Sequence, residues 1–248
     1  MTAVGGPDVG THNQQQRAYF EGTDQRTLKP TGSRYLRRHV DRMAGFANLR
    51  SGDKVLEVGC GLGRYTLLLA ERGIAVEGLD LSPGLLEQLG ANPEAAGIPL
   101  HAHDLVECPP EMLGTFDAVV GFFVLHHVHD LDACMRMATS LVRPGGRVAF
   151  IEPNPWNPLY YVQIFATPEM SWQPERGMLK MRPKMMMPIL SRAGLVNVTF
   201  ERFGLFPPFV TNRRLGAQVE SAAEDVPLGV PARPFAIFGG ERPALERA

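Results

Sequence analysis

The stretch that decides the fold is residues 54–83, KVLEVGCGLGRYTLLLAERGIAVEGLDLSP. Within it the apolar run 55–58 reads as a strand that enters a glycine turn, residues 64–72 as the helix behind the turn, and residues 74–79 as a second strand that stops at Asp80. Strand, glycine turn, helix and strand in this order form half of a nucleotide-binding α/β unit. Glycine lets the backbone pass close to a ligand, and a carboxylate at the end of the second strand suits the two hydroxyls of a ribose.

The glycine spacing separates two kinds of nucleotide. A dinucleotide turn places glycines at its first, third and sixth positions. Here Gly59, Gly61 and Gly63 take the first, third and fifth, and the sixth is Arg64, a bulky cation where close helix–strand packing is required. Glu57, two residues before the first glycine, would repel a pyrophosphate and attract a cationic group. The pattern ExGxGxG, followed at Asp80 by an acid, resembles motif I and the acidic loop of class I S-adenosylmethionine-dependent methyltransferases. The resemblance is strong over residues 53–153 and faint on both sides. Its nearest likeness is to quinone-biosynthesis and natural-product enzymes.

Further elements follow outward from this unit. Residues 31–46 carry Tyr35, Leu36, Val40 and Met43 at helical spacing, with Arg34, Arg38 and Arg42 sharing a face. Ser82 caps a second helix whose first residue is Pro83. Residues 98–103 read as a short strand ending at Asp104. The nearly continuous apolar run 116–124 suits a strand buried on both faces of a parallel sheet. A helix at 131–141, closed by Pro144-Gly145-Gly146, leads to a strand at 147–151 ending at Glu152; a helix at 184–193 and strands at 197–203 and 235–238 come later. This alternation predicts an α/β fold, a doubly wound and mostly parallel sheet with helices on both faces. The resemblance implies seven strands, the last antiparallel and slotted beside the fifth. The expected organisation is a tail and helical arm over 1–50 (mobile over 1–16), a cofactor-binding core over 51–153, a substrate-side insertion over 154–182, and a sheet-completing segment over 183–248 with an insertion at 205–234.

The resemblance also distributes roles. Gly59, Cys60, Gly61 and Gly63 would pass under the amino-acid part of S-adenosylmethionine, with Glu57 holding the loop or the ammonium. Asp80 would accept the ribose hydroxyls with Leu81 on the adenine. Asp104 would accept from the exocyclic amine with Leu105 on the ring, and the backbone at Gly121 and Phe122 would meet the methionine portion. The product would be S-adenosylhomocysteine. Independently of any family, four acids (Glu57, Asp80, Asp104 and Glu152) fall one per strand at a single sheet edge, where ligands bind in open α/β sheets.

Sulfonium methyl transfer releases a neutral leaving group, so a base is needed only where the acceptor must lose a proton. His126 and His127, in FFVLHHVHD beside Asp130, are the candidate bases; equally, histidines here could cap the next helix or fill the cleft wall. A metal held by His126, His129 and Asp130 is not expected, because no further ligand cluster is evident. Tyr19, Phe123, Trp156 and Tyr160 are candidate walls for an apolar acceptor, with ordinary packing the alternative. The methionine-rich stretch 178–187 could form an adaptable wall or a helix core.

Bulk properties set outer limits. A chain of 248 residues, 44% hydrophobic and 21% charged, is ordinary for one α/β domain. A net charge of −1 gives no general pull toward nucleic acid, and no basic stripe interleaved with aromatics is present. The three cysteines are scattered without CxxC spacing, so neither a disulfide framework nor a zinc site is expected. No run approaches a membrane span and no signal-type apolar region opens the chain, so a cytoplasmic location is expected. The expected activity is methyl transfer to an oxygen or carbon of a small, fairly apolar acceptor: a secondary metabolite, quinone or lipid-like molecule. The alternatives are a non-methylating role for bound cofactor (cyclisation, rearrangement or binding) and methylation of a protein or peptide.

Overall fold

The computed structural model describes residues 9–21, 29–166, 172–223, 226 and 229–245. Seven strands form one sheet: β1 Lys54–Val58, β2 Ala75–Asp80, β3 Leu100–Ala102, β4 Phe116–Phe122, β5 Val142–Pro153, β6 Val196–Phe203 and β7 Phe235–Glu241. Their order across the sheet is β3-β2-β1-β4-β5-β7-β6. The first five pair in parallel, and β7 runs antiparallel to both β5 and β6. Strand order reverses between β1 and β4. In a sheet of this kind the crevice beyond the carboxyl ends of those two strands is the ligand site.

The helices in chain order are α1 Val9–Glu21, α2 Arg34–Phe46, α3 Thr66–Glu71, α4 Pro83–Gly90, α5 Leu131–Leu141, α6 Pro158–Ala166, α7 Trp172–Glu175, α8 Pro183–Arg192, α9 Pro208–Thr211 and α10 Arg214–Ala222. Successive strand residues point to opposite faces, and the two faces carry separate cores. On one, Leu56, Val119 and Phe150 pack with Met135 of α5 and Leu190 of α8. On the other, Val55, Val120 and Ile237 pack with Leu36 of α2 and Leu69 of α3. Double coverage explains why β4 is apolar at nearly every position. Caps set the helix starts. Ser33 Oγ accepts from Leu36 N, Ser82 Oγ from Leu85 N, and Asp130 Oδ1 from Ala133 N; the first of these starts α2 at Arg34, three residues later than apolar spacing suggests.

Two expectations change, the N-terminal tail and the bounds of two strands. Residues 9–16, expected to be a mobile tail, belong to α1, a polar helix tied to the body by side-chain hydrogen bonds at Asn13 and Glu21. The strand expected over 98–103 is confined to Leu100–Ala102, and the last strand extends to Glu241. Met178, Met181 and Met186 are fully buried and serve as packing. The arginines of α2 tie it to neighbouring elements: Arg38 to Glu220 of α10 at 3.3 Å and Arg42 to Glu201 of β6 at 3.1 Å.

Candidate active site

A cavity of about 550 Å3 opens along the carboxyl ends of β1, β2 and β4 and extends to α1 and α6. Its floor is the loop after β1. Gly61 has φ +51, and the space where a Cβ would project is open, so the chain there presents bare backbone to the cavity. Gly63, at φ +82, does not line the cavity; a Cβ there would meet Leu89 of α4 at 2.4 Å. Its role is close packing of the loop against α4. Gly121 also lies away from the cavity, inside the sheet against Phe150. Glu57, Gly59, Cys60, Asp80, Leu81, Asp104, Leu105 and Phe122 all line it.

Asp80 ends β2 with its carboxylate accepting from Gly61 N at 2.8 Å and Ser82 N at 2.9 Å. Burial raises its pKa against these amides, which leave lone pairs for further donors. Glu57 is buried behind the glycine loop and accepts from Thr66 Oγ1 at 2.6 Å. Burial pushes its pKa up to about 8, the Thr66 hydrogen bond opposes this, and the Asp80 charge adds to it. Asp104 accepts from Val106 N at 3.1 Å and from Asn13 Nδ2 at 2.5 Å, so α1 closes over this end of the cavity. Glu21 of the same helix accepts from Ser82 Oγ at 2.5 Å.

The opposite end is aromatic around a histidine pair. Phe123 leaves β4 at φ +57, an uncommon backbone state for a bulky residue, and packs on Phe235 and Tyr65. Phe20 of α1 meets the His127 ring edge-on at 5.1 Å, and the His126 and His127 rings lie 4.0 Å apart. His126 is buried with Nδ1 2.5 Å from Glu152 and Nε2 3.2 Å from Glu175. Burial disfavours its charged form, but the two carboxylates outweigh burial and raise its pKa to about 9. Glu175 is lowered to about 2, because hydrogen bonding and charge from His126 outweigh its own burial. Glu175 also accepts from Tyr160 Oη at 2.7 Å.

Sequence reasoning brought His126 forward as a base. Both of its nitrogens face carboxylates, so as the imidazolium it has no lone pair for a substrate proton. His127 lies beside it on the cavity wall. Tyr160 lines the cavity. Trp156 does not: it is 54% exposed on the outer surface, beneath the guanidinium of Arg182. Tyr19 falls within α1, but its side chain lies outside the described residues. Asn13, Phe20, Tyr65, Glu175 and Phe235 also line it. Phe20 had a visible aromatic signal; Asn13 and Glu175 had none, because their partners are distant in the chain.

Residues 26–200 match a family model described as a methyltransferase domain. The ubiquinone biosynthesis O-methyltransferase of Chromobacterium violaceum is 37% identical over 117 residues, which cover 46% of this chain and 49% of that protein. The 27-O-demethylrifamycin SV methyltransferase of Amycolatopsis mediterranei is 33% identical over 118 residues, 45% and 43% of the two chains. The chain thus spans about half the length of the curated relatives it matches. Among solved structures, a SAM-dependent methyltransferase from Archaeoglobus fulgidus superposes with a TM-score of 0.61 at 16% identity, covering 85% of this chain and 95% of that one. The geranyl diphosphate C-methyltransferase of Streptomyces coelicolor gives 0.55 at 17% identity, covering 93% and 98%. A glycine loop open to the cavity, a carboxylate closing β2 and a family match across most of the chain agree: this protein belongs to the class I methyltransferases, whose cofactor is S-adenosylmethionine.

Proposed function

We propose that this protein methylates an oxygen of a small, largely apolar acceptor, carbon being the alternative acceptor atom. The observation that carries the choice of oxygen is the histidine pair set in an aromatic wall at the far end of the cofactor cavity. Two relatives are named for O-methylation and one fold neighbour for C-methylation.

The residues fit the cofactor. Bare backbone at Gly61, spare lone pairs on Asp80 and the buried acid Glu57 match a nucleoside whose amino-acid end is cationic. When bound, S-adenosylmethionine supplies an electrophilic methyl group on a sulfonium that leaves as a neutral thioether. Asp80 holds the ribose hydroxyls and Glu57 lies toward the ammonium. Asp104, with Leu105, serves the adenine, and Cys60, Leu81 and Phe122 provide apolar walls. Phe20, Phe123 and Tyr160 orient the acceptor and exclude water, so effective concentration supplies much of the rate. His127 takes the acceptor proton. His126 serves as a fixed cation, its imidazolium pinned by Glu152 and Glu175, and keeps Tyr160 and the neighbouring ring in place.

A second reading rests on one geometric fact. Ligand atoms of His126, His127 and Glu175 all lie within 4.8 Å of one another, so a metal ion could replace the proton between His126 and Glu175. Metal analysis of purified protein, with turnover before and after chelation, separates the two. The proton bridge predicts no stoichiometric metal and no loss of activity.

The test of the main proposal is S-adenosylhomocysteine formation across a panel of phenols, catechols and quinols, with labelled methyl to locate the acceptor atom. Turnover with hydroxylated aromatics is expected. Stoichiometric cofactor retention with no turnover on any acceptor would favour the non-methylating role instead.

A further inference from the structure

The geometry points to a membrane-docking face on the outer side of helix α6, fitted to a lipid surface bearing anionic headgroups. Helix α6, PLYYVQIFA, contains no charged residue. Its inward side carries Ile164, which is buried, and Tyr160, which reaches Glu175. Its outward side carries Leu159, Val162 and Phe165 at successive three-residue steps, 53%, 61% and 79% exposed. Trp156 continues that side, and Trp172 of α7 adjoins the helix through Tyr161 at 6.0 Å between ring centroids. Scattered exposed apolar residues are ordinary; a run of them on one uncharged helix, flanked by two exposed tryptophans, marks an interaction surface. Tryptophan and phenylalanine are the residues that settle at the headgroup boundary, and a helix lying in that plane needs only one apolar side.

The charges around this face choose the occupant. Between residues 154 and 185 every exposed charged side chain among the described residues is a cation: Arg176, Lys180, Arg182 and Lys184. The one described acid of that stretch, Glu175, is buried in the site. Lys180 lines a shallow depression together with Asp130 and Asp132, but Arg182 stacks on Trp156 itself, 5.8 Å from the ring. Cations beside an apolar face complement anionic headgroups. A symmetric dimer through the same face would instead set like charges against each other. The chain as a whole carries a net charge of −1, so any attraction to an anionic surface must come from such a local rim. The inner side of this stretch lines the cavity through Tyr160 and Glu175, so docking would bring the mouth of the cavity to a surface where apolar acceptors dissolve.

The test is co-sedimentation of the full chain with vesicles of phosphatidylcholine alone and of phosphatidylcholine mixed with phosphatidylglycerol. It reads binding, so its outcome is separate from that of the acceptor assay. Binding to the mixed vesicles, reduced by salt, is expected. Phe165→Ser should weaken it roughly tenfold and Arg182→Glu roughly twentyfold, with S-adenosylhomocysteine affinity and melting midpoint unchanged in both variants. Failure to bind mixed vesicles would overturn the proposal, as would binding that neither substitution weakens. So would a solution dimer that Phe165→Ser dissociates, which would assign the face to a second copy.

Discussion

Replacing Glu175 with Gln removes one of the two charges that pin His126 while preserving the shape of the side chain. The ring is almost wholly buried, and its pKa is raised from 6.5 to about 9. That rise is equivalent to about 3 kcal/mol in favour of the charged ring. Glu152 at 2.5 Å and Glu175 at 3.2 Å both pull the ring toward its charged form, Glu152 the more strongly, so removing the Glu175 charge should cost on the order of 1 kcal/mol. The sign follows from linkage. A group whose pKa is raised by folding contributes its stability below the unfolded value, here about 6.5, and loses it as pH rises through about 9. Urea denaturation of the Glu175→Gln variant should therefore show a loss on the order of 1 kcal/mol at pH 6 that shrinks steadily toward pH 10. A histidine titration followed by NMR should move to lower pH in the same variant. A destabilisation of equal size at every pH would mean that Glu175 acts by packing or through Tyr160 alone, and the imidazolium clamp would be wrong.

Other expectations are quicker to check. His127→Gln should lower kcat roughly a hundredfold at saturating cofactor while leaving cofactor affinity intact; full activity would remove the base assignment. Glu57, pushed up to about 8 by burial, is largely protonated at neutral pH, and a cationic ligand group would favour its ionised form. Binding of S-adenosylmethionine near pH 7 should accordingly release up to about one proton, seen as a calorimetric enthalpy that varies with the ionisation enthalpy of the buffer; no buffer dependence would count against the contact. Gly63→Ala should cost about 2–3 kcal/mol in chemical denaturation, because the new methyl meets Leu89 in a backbone state costly for alanine. A neutral result there would show that α4 can yield.

How far the site could be read from sequence depended on how local its parts are. Gly61 and Asp80 were legible because a turn and the strand after it carry their meaning in a short spacing, and the hydrogen bond from Gly61 N to Asp80 joins the two directly. The sheet was legible because β1 and β4 are buried on both faces and read as nearly continuous apolar runs, interrupted by Glu57 and Asp117. Helix α1 was not. Its sequence, VGTHNQQQRAYFE, has no apolar period, and the bonds that tie it down go to Asp104 and Ser82, far along the chain. The histidine pair was visible as a motif, but which ring is pinned depends on Glu152 at the end of β5 and Glu175 in a single helical turn. Trp156 was placed on the wrong side because an aromatic residue in a proline-rich segment has no period to indicate where it faces.

The claim on which the account turns is that Asp80 grips the ribose of the cofactor at the carboxyl end of β2. Calorimetric titration of S-adenosylhomocysteine into the wild-type protein and Asp80→Asn tests it most directly, since the variant keeps the shape of the side chain and loses its charge. Two hydrogen bonds to a charged acceptor predict an affinity loss of roughly a hundredfold. Equal affinity in the two proteins would contradict the account.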